Sequence, residues 1–565
     1  MNSLFYGDNI TIMRQMEQNS VDLIYLDPPF NSQRNYNLIY KNLTGKPVPD
    51  QAEAFCDTWE MDAEKEERAK YMPLLMREHG IDDYFVEFWR ILINGLRYAQ
   101  PNLMAYLIYM VERLIYLKSI LKPTGSIYLH CDPTASHYIK IMMDGIFGAK
   151  NFRNEIIWRR TNSHNKLSKQ YGPIHDVILF YSSSKNFYFD IGYTPYNKAY
   201  ITDRFKYQDS IGIYQPNYLT GPGERNGESG VEWRGFNPTL AGRHWAIPKS
   251  LRQYLPNEGK GMSQFDILEL LLEKGFIIFP KKIGGQPMYK QYVGKGVPYQ
   301  DIWAYQPNTK GVLLDGNINI DEDVKYLENE DEKLGYPTQK PVGLLKRIIN
   351  SSSKKNDLVF DPFCGCGTTI FAAQELERRW IGCDIAILSI KMIRENLTGD
   401  TYRLSEGDHF TIGGIPVSVE QAKELFLQDP FQFEHWVVER IGGFPTKKTG
   451  DRGIDGRLYF DTIDGLKSMV LSVKGGKTSP SHLRELRGVL DREKDATLAG
   501  FICFTEPTKS MRDEAAAAGQ YEYFGTKYDR MQILTVKEIL EEKRDFHTPS
   551  KLTSSVETAQ KSMLI

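Results

Sequence analysis

Long apolar runs are missing from this 565-residue chain. None approaches the roughly 20 residues that a membrane-crossing helix needs. Met1-Asn2-Ser3-Leu4 opens no charged segment leading into an apolar one, so no secretory leader is expected and the protein reads as soluble and cytoplasmic, with no membrane partner. Excess charge is missing as well: 70 Lys and Arg stand against 72 Asp and Glu. Any surface for a polyanion must therefore be made locally, by where the basic residues fall. The six cysteines include no CxxC pair and no regular spacing, which argues against a zinc module and against a secreted disulfide framework. His130, His137 and His164 lack metal-ligand spacing and read as hydrogen-bonded structural residues. No repeat with a period of about 20–50 residues is visible.

What is present is an alternation of strand-like and helical texture, interrupted once. Val21 to Leu26 reads as a strand, Tyr84 to Leu121 as helical, and Gly125 to His130 as a strand again, which predicts a parallel α/β sheet. From about 155 to 335 the chain is rich in aromatics, glycine and proline, as in Gly221-Pro222-Gly223-Glu224-Arg225 and Glu232-Trp233-Arg234-Gly235-Phe236. Such a stretch predicts loops. The alternation resumes at Tyr336 and runs to about Arg403. A further unit begins near Pro430, with a helix over Phe431 to Ile441, strands over Ile454 to Phe460 and Ser468 to Lys474, and a helix over His482 to Arg492. The domain limits expected are 1–154, 155–335, 336–405, a linker 406–429, 430–545, and a disordered tail 546–565.

Two motifs carry chemistry. Asp27-Pro28-Pro29-Phe30 follows the first strand. An amino group on an aromatic base is a poor nucleophile, because its lone pair is delocalised into the ring. Asp27 supplies a side-chain acceptor for such an amine, Pro28 a carbonyl, the two prolines a fixed turn, and Phe30 a face for a base taken out of a duplex. The second motif, Asp361-Pro362-Phe363-Cys364-Gly365-Cys366-Gly367-Thr368-Thr369, lies between the strand ending at Phe360 and a helix. Its glycines allow close backbone approach, and a helix start offers free N–H groups to an anion. It is not a full GxGxxG, because Ile370 stands at the last glycine position. Asp384 ends the next strand, 23 residues after Asp361, where an acid accepts hydrogen bonds from ribose hydroxyls in nucleoside-binding sheets.

In that order the motifs resemble the amino-group DNA methyltransferases that use S-adenosylmethionine, in the beta arrangement, where the catalytic motif precedes the cofactor motif. The resemblance covers about residues 1 to 400. It takes in Tyr6-Gly7-Asp8-Asn9, the stretch Gly125 to Asp132, and Tyr336-Pro337-Thr338-Gln339-Lys340-Pro341. It implies a Rossmann-like methyltransferase sheet with the 155–335 insert as target-recognition region. It also implies catalytic residues Asp27, Pro28, Pro29 and Phe30, and a cofactor site of Asp8, Thr338, Gln339, Lys340, Pro341, Asp361, Pro362, Phe363, Gly365, Gly367, Thr368 and Asp384. Asp at position 27 resembles the adenine-N6 enzymes, while Ser is more usual for cytosine-N4. Cytosine-C5 chemistry is disfavoured, since no cysteine follows a proline; Cys364 and Cys366 read as small loop fillers.

The C-terminal unit resembles the Mrr-like branch of restriction endonuclease folds, an α/β domain, over about 430 to 525. The stretch Gly450 to Gly456 and Leu471-Ser472-Val473-Lys474 carry that likeness. It implies Glu434 and Asp455 as ligands for Mg²⁺ and Lys474 as a charge stabiliser. A second acid or Gln usually stands where this chain has Ser472, and a hydroxyl brings no negative charge to a metal. Metal-dependent cutting is therefore expected to be weak or absent.

The expected function is transfer of a methyl group to adenine N6 in double-stranded DNA, in restriction-modification or phage defence, with no metal needed for the transfer. The alternatives are a cytosine-N4 methyltransferase, a bifunctional methyltransferase-endonuclease, or a DNA-binding protein that recruits partners. The oligomeric state, a homodimer included, is left open. A chain ending near residue 425 is expected to keep cofactor binding.

Overall fold

The computed structural model describes residues 1–29, 35–38, 52–56, 59–160, 169, 171–194, 196, 198–281, 285–303, 334, 339–446, 453–463 and 465–549. The chain divides into two units: Met1–Asp190 with Asp301–Asn308 and Asp321–Ile565, and Ile191–Gln300 with Thr309–Ile320.

The first unit is built on a nine-stranded sheet. Its strands are β1 (Asn2–Tyr6), β2 (Val21–Leu26), β3 (Leu121–Cys131), β4 (Phe152–Arg159), β5 (His175–Ser182), β6 (Ile302–Trp303), β7 (Leu358–Asp361), β8 (Arg379–Asp384) and β9 (Phe410–Gly413). They lie in the order β6-β4-β5-β3-β2-β7-β8-β1-β9. The sheet is mixed, because β5 runs antiparallel to both β3 and β4. The long excursion of the chain returns β7 to the side of β2, with Val359 opposite Leu23 and Phe360 opposite Ile24. Asp22 helps to tie that junction, accepting from the Leu358 amide at 2.9 Å and from Lys122 Nζ at 2.8 Å.

β2 is covered on both faces, so from Leu23 to Leu26 it is buried without alternation. Leu23 and Tyr25 enter one core and Ile24 and Leu26 the other. The second core is filled by residues of α1 (Asn9–Gln15), α2 (Ala63–Glu78), α3 (Asp83–Ala99) and α4 (Pro101–Ile120), Ile10 and Met13 coming from the first. The single helical stretch expected over Tyr84 to Leu121 is broken at Gln100, since Pro101 has no N–H to continue the ladder and instead starts α4. Among the described residues no helix is long and apolar enough to cross a membrane.

After β7 come α6 (Thr368–Glu375), β8 and α7 (Ile387–Thr398), preceded by α5 (Val342–Ser352). Residues 406–429, expected as a linker, are structured. β9 pairs with β1, Ser3 lying opposite Thr411, and α8 (Val419–Gln428) is capped by Ser418, whose hydroxyl accepts from Gln421 N at 3.3 Å. The polar sequence there hid an edge strand whose partner is at the other end of the chain. The span 155–335 likewise contains β5 and most of β4, which belong to the main sheet.

α9 (Pro430–Arg440) leads into a five-stranded sheet of β10 (Phe444–Pro445), β11 (Gly456–Thr462), β12 (Gly465–Lys474), β13 (Ala496–Cys503) and β14 (Met531–Thr535), in that spatial order. β10, β11 and β12 pair antiparallel; β12, β13 and β14 pair parallel. α10 (Pro480–Arg492) and α11 (Lys509–Ala516) accompany the parallel half. One hydrophobic core runs without a break from Leu4 and Ile390 through Phe433, Trp436 and Val437 to Leu458, Leu471 and Ile502. The C-terminal sheet is thus packed onto the first. The tail expected from 546 begins with a buried Phe546, seated over Gly500, and His547 N donates to Gln532 Oε1 at 2.8 Å. Its remainder from 550 lies outside the described residues.

The second unit carries a four-stranded antiparallel sheet of Ile277–Ile278, Met288–Tyr292, Ile213–Tyr218 and Tyr207–Gln208. Trp233, Trp245, Leu268 and Leu271 form its core. Arg234 is bound to Glu269 at 2.6 Å and Arg243 to the Thr220 carbonyl at 2.8 Å, while Arg225 is exposed.

Candidate active site

Four adjacent strands, β2, β7, β8 and β1, end on one edge of the sheet and deliver Asp27, Asp361, Asp384 and Gly7-Asp8 to it. Open α/β sheets bind ligands beyond the carboxyl ends of their strands. A cavity of about 650 Å³ lies there, within the range of small-molecule sites.

Asp27 is joined to Lys340 by a short ion pair across 313 positions of sequence. The pair is largely out of water, with side-chain exposures of 9% for Lys340 and 16% for Asp27. Lys340 takes only one carboxylate oxygen. Asp27 Oδ1 is buried with no hydrogen-bond partner, an arrangement that costs free energy unless a ligand supplies a donor. Pro28 is buried behind the cavity and Pro29 lines it; Phe30 lies outside the described residues. Below Asp27, Tyr25 Oη meets His130 Nδ1 at 2.9 Å, and His130 Nε2 meets Asp176 at 3.2 Å. His130 is therefore a hydrogen-bonded core residue.

The loop after β7 is held open by its own aspartate. Asp361 accepts from Phe363 N at 2.9 Å and from the Thr369 hydroxyl at 2.5 Å, bridging the loop's two ends. Burial raises its carboxyl to about 7. Gly365 and Gly367 have φ of 51° and 91°, and a Cβ on Gly367 would lie 2.6 Å from Ile393, so a side chain is excluded twice over. Cys364 and Cys366 are buried free thiols, and burial pushes Cys366 to about 11. Neither is poised as a nucleophile. Pro362, Phe363, Gly365 and Thr368 line the cavity, whereas Gly367 only shapes the turn.

Asp384 takes Gly365 N at 2.8 Å and Ala386 N at 2.9 Å, and burial raises it to about 6. Asp8 caps α1 through Ile10 N at 2.7 Å and is held by Arg113 Nη2 at 3.0 Å. The sequence reading missed Arg113. It is 2% exposed, with its guanidinium 3.3 Å above the Tyr109 ring, and its only signal was a Glu-Arg step inside the apolar helix α4. Of the Thr338-Gln339-Lys340-Pro341 group, Gln339 and Lys340 line the cavity, Pro341 caps α5, and Thr338 lies outside the described residues.

The cavity wall also carries buried polar atoms with no protein partner: Tyr6 Oη, Asn9 Oδ1, Asp27 Oδ1, Trp59 Nε1 and His435 Nε2. Donors, acceptors and aromatic faces distributed along one cavity suit a nucleoside-bearing ligand with a charged end. The model of the DNA methylase family, covering both amino-N6 and amino-N4 enzymes, matches residues 21–395. The chain belongs to that family. It is 28% identical over 442 residues to the type II methyltransferase M.EcaI of Enterobacter cloacae, spanning 76% of this chain and 77% of that protein. It is 27% identical over 400 residues to the StyLTI Mod subunit of Salmonella typhimurium, a type III restriction-modification enzyme, across 68% of this chain and 52% of that one. The solved PvuII DNA methyltransferase, which is cytosine-N4-specific, overlaps 72% of this chain and 88% of its own at 12% identity, with a TM-score of 0.29, too loose to carry an argument.

The methylase has a wall that the family segment does not supply. Asp429, Phe431, Gln432, His435 and Glu439 of α9 and its cap, with Pro445 and Thr446, face the cavity. Sequence reading used this helix only for Glu434, which is not among the lining residues. The i, i+4, i+8 spacing of Phe431, His435 and Glu439 was the available signal. Elsewhere in the same domain Asp455 Oδ2 accepts from Ser472 Oγ at 3.2 Å, Val473 N at 2.6 Å and Lys474 Nζ at 3.4 Å. Three of the residues read as a nuclease site are thus together. Among the described residues no group of three or more His, Cys, Asp or Glu side chains is placed to hold a metal.

Proposed function

We propose that the methylase moves the methyl group of S-adenosylmethionine to N6 of adenine in double-stranded DNA, as the modification half of a restriction-modification pair. The observation that carries this reading is the unpartnered Oδ1 of Asp27, held in place by Lys340 on the other oxygen. An acceptor fixed in that way receives one N–H of an extruded amino-bearing base and returns electron density to its nitrogen. The cofactor, when bound, supplies a methyl group already attached to a positive leaving group. As the amine nitrogen takes the methyl group, the methyl carbon's bond to sulfur breaks and the nitrogen becomes positive; the Asp27 carboxylate stabilises that charge until the extra N–H proton passes to solvent. Asp rather than Ser at 27 favours adenine over cytosine. Relatives named as type II and type III modification enzymes support the biological setting.

The test is incubation of the full chain with duplex DNA and methyl-labelled cofactor, followed by mass analysis of the nucleosides. N6-methyladenine is expected. N4-methylcytosine would move the target to the other amino base, and no incorporation would refute the reading.

The C-terminal arrangement favours a second element. A helix, three antiparallel strands and two parallel ones, with Asp455 and Lys474 side by side, support a restriction-endonuclease-like fold. In this reading the domain contacts DNA without Mg²⁺-dependent cutting, because Ser472 brings no charge and Asp455 is already bound by three donors. The unit around Ile191–Gln300 serves as the target-recognition region, with Arg225 free to reach a base edge or phosphate.

A further inference from the structure

The cavity is not symmetric along its length. Asp361 is within electrostatic reach of both Asp27 and Asp384, and Glu439 of α9 within reach of Asp384. With β2, β7 and β8 adjacent in the sheet, the acids follow in the order Asp27, Asp361, Asp384, and Glu439 lies on the cavity wall at the Asp384 end. The reacting amine belongs at Asp27, so the far end takes the part of the cofactor remote from the methyl group. At that end Tyr6 is 2% exposed and its hydroxyl has no partner, while Glu439, Asp429 and Asp384 all act on it. His435 lines the same end of the cavity, and its Nε2 is buried without a partner. The Phe431 and His435 rings lie with centroids 4.2 Å apart, giving an aromatic wall beside the partly exposed apolar Ile385. Glu439 lines the cavity one turn further along α9.

An aromatic and aliphatic wall, two facing acids and unpartnered hydroxyl and imidazole groups match a purine nucleoside. The hydroxyls of such a ligand donate to carboxyls, and its base edge offers both donors and acceptors. We infer that α9 of the C-terminal domain is part of the cofactor site, with Phe431, His435 and Glu439 holding the adenosine end of the sulfonium cofactor opposite Asp384. This rests on the cofactor reading above. It assigns the ligand to residues beyond the matched family segment, which stops at 395. It also reverses the expectation that residues after about 425 are dispensable for cofactor binding. Gln432 supports the same closure: a Cβ on Gly7 would lie 2.9 Å from its Nε2, so α9 rests directly on the β1–α1 turn.

The experiment is calorimetric titration of full-length protein with S-adenosylmethionine, S-adenosylhomocysteine and adenosine. His435→Ala and Glu439→Ala are each expected to weaken all three by about tenfold or more. Arg440→Ala, on the same helix but exposed and off the cavity, is expected to stay within about twofold of wild type. Wild-type affinity in folded His435→Ala and Glu439→Ala proteins overturns the inference. Hydrogen exchange on the wild-type chain decides the matter if those variants do not fold. Added S-adenosylmethionine is expected to slow exchange in 429–446 as well as around 361–386, and protection confined to the latter overturns it. A wild type that takes up neither sulfonium cofactor nor its demethylated product removes the cofactor reading itself, and this assignment with it.

Discussion

Asp27 with Lys340 and Asp455 with Lys474 are both aspartate–lysine pairs set beside a sheet. In the first, the lysine is 9% exposed, binds one carboxylate oxygen, and leaves the other buried without a partner over a cavity. In the second, the lysine is 38% exposed, and a single oxygen of Asp455 collects a hydroxyl, a backbone amide and the ammonium. The same two residue types make a receptive site at Asp27, where a carboxylate oxygen is buried without a donor, and a closed one at Asp455, where neither oxygen is left in that state. What separates them is whether a carboxylate oxygen is buried away from both water and every donor of the protein.

The largest effect that can break this comparison is at Asp27. Asp27→Ala is expected to lower methyl transfer by about 10²–10³-fold, the scale of removing one fixed hydrogen-bonding group aimed at the reacting centre. Cofactor affinity should stay near wild type. Transfer at the wild-type rate would erase the distinction between the two pairs. Lys340→Met is expected to fall short of that loss, since Asp27 remains but is no longer held; single-turnover rates on one duplex rank the two variants.

At Asp455 the expected effect is on stability. Asp455→Ala strands the buried Val473 amide, a loss of about 1–3 kcal/mol, seen as a lower melting temperature with methyl transfer per folded molecule largely retained. Mg²⁺-dependent cleavage of unmodified DNA, abolished in this variant or in Lys474→Ala, would show that the second pair is receptive too.

The pH dependence of stability sharpens the same contrast. Burial raises Asp384 to about 6, Asp361 to about 7 and Glu439 to about 8. An acid whose folded value lies above its unfolded one binds more protons when folded. Its stability contribution is complete below the unfolded value and is lost as pH rises through the folded one. The apo protein is therefore expected to melt at progressively lower temperature from about pH 5 to about pH 8, with Glu439→Gln flattening the upper part of that slope. A melting profile that rises over this interval would contradict the burial of these acids. The smallest effect is expected at Arg225: Arg225→Ala should weaken DNA binding by about tenfold or less and leave the modified atom unchanged. A nucleoside analysis showing a different modified base would place base choice, rather than sequence choice, in that unit.

Short-range structure was legible wherever the cause was local. The strands ending at Leu26, Asp361 and Asp384 are mostly apolar stretches closed by an acid, and the Gly365/Gly367 turn follows from residues within one loop. α9 and β12 were found because their periodicity is contained in about ten residues. The edge strand β9 and the break at Pro101 were missed for opposite reasons. β9 has little hydrophobic pattern of its own and forms only because β1 is beside it; Pro101 interrupts a pattern that is apolar on both sides of it. The Gln339-Lys340 segment was assigned to the cofactor by resemblance, yet Lys340 pairs with Asp27 of the other motif.

The sequence by itself determined the kind of chemistry: an acid in a Pro-Pro turn, a glycine loop, and an acid closing the following strand, each readable because a turn or a strand end is built by neighbouring residues. Only the tertiary structure decided which groups share a cavity. The adjacency of β2 and β7, the pairing of Asp27 with Lys340, and the wall that α9 sets against Tyr6 and Asp384 join residues hundreds of positions apart. Such contacts arise from burying one continuous core, whose energy is spread over many side chains and leaves no local mark.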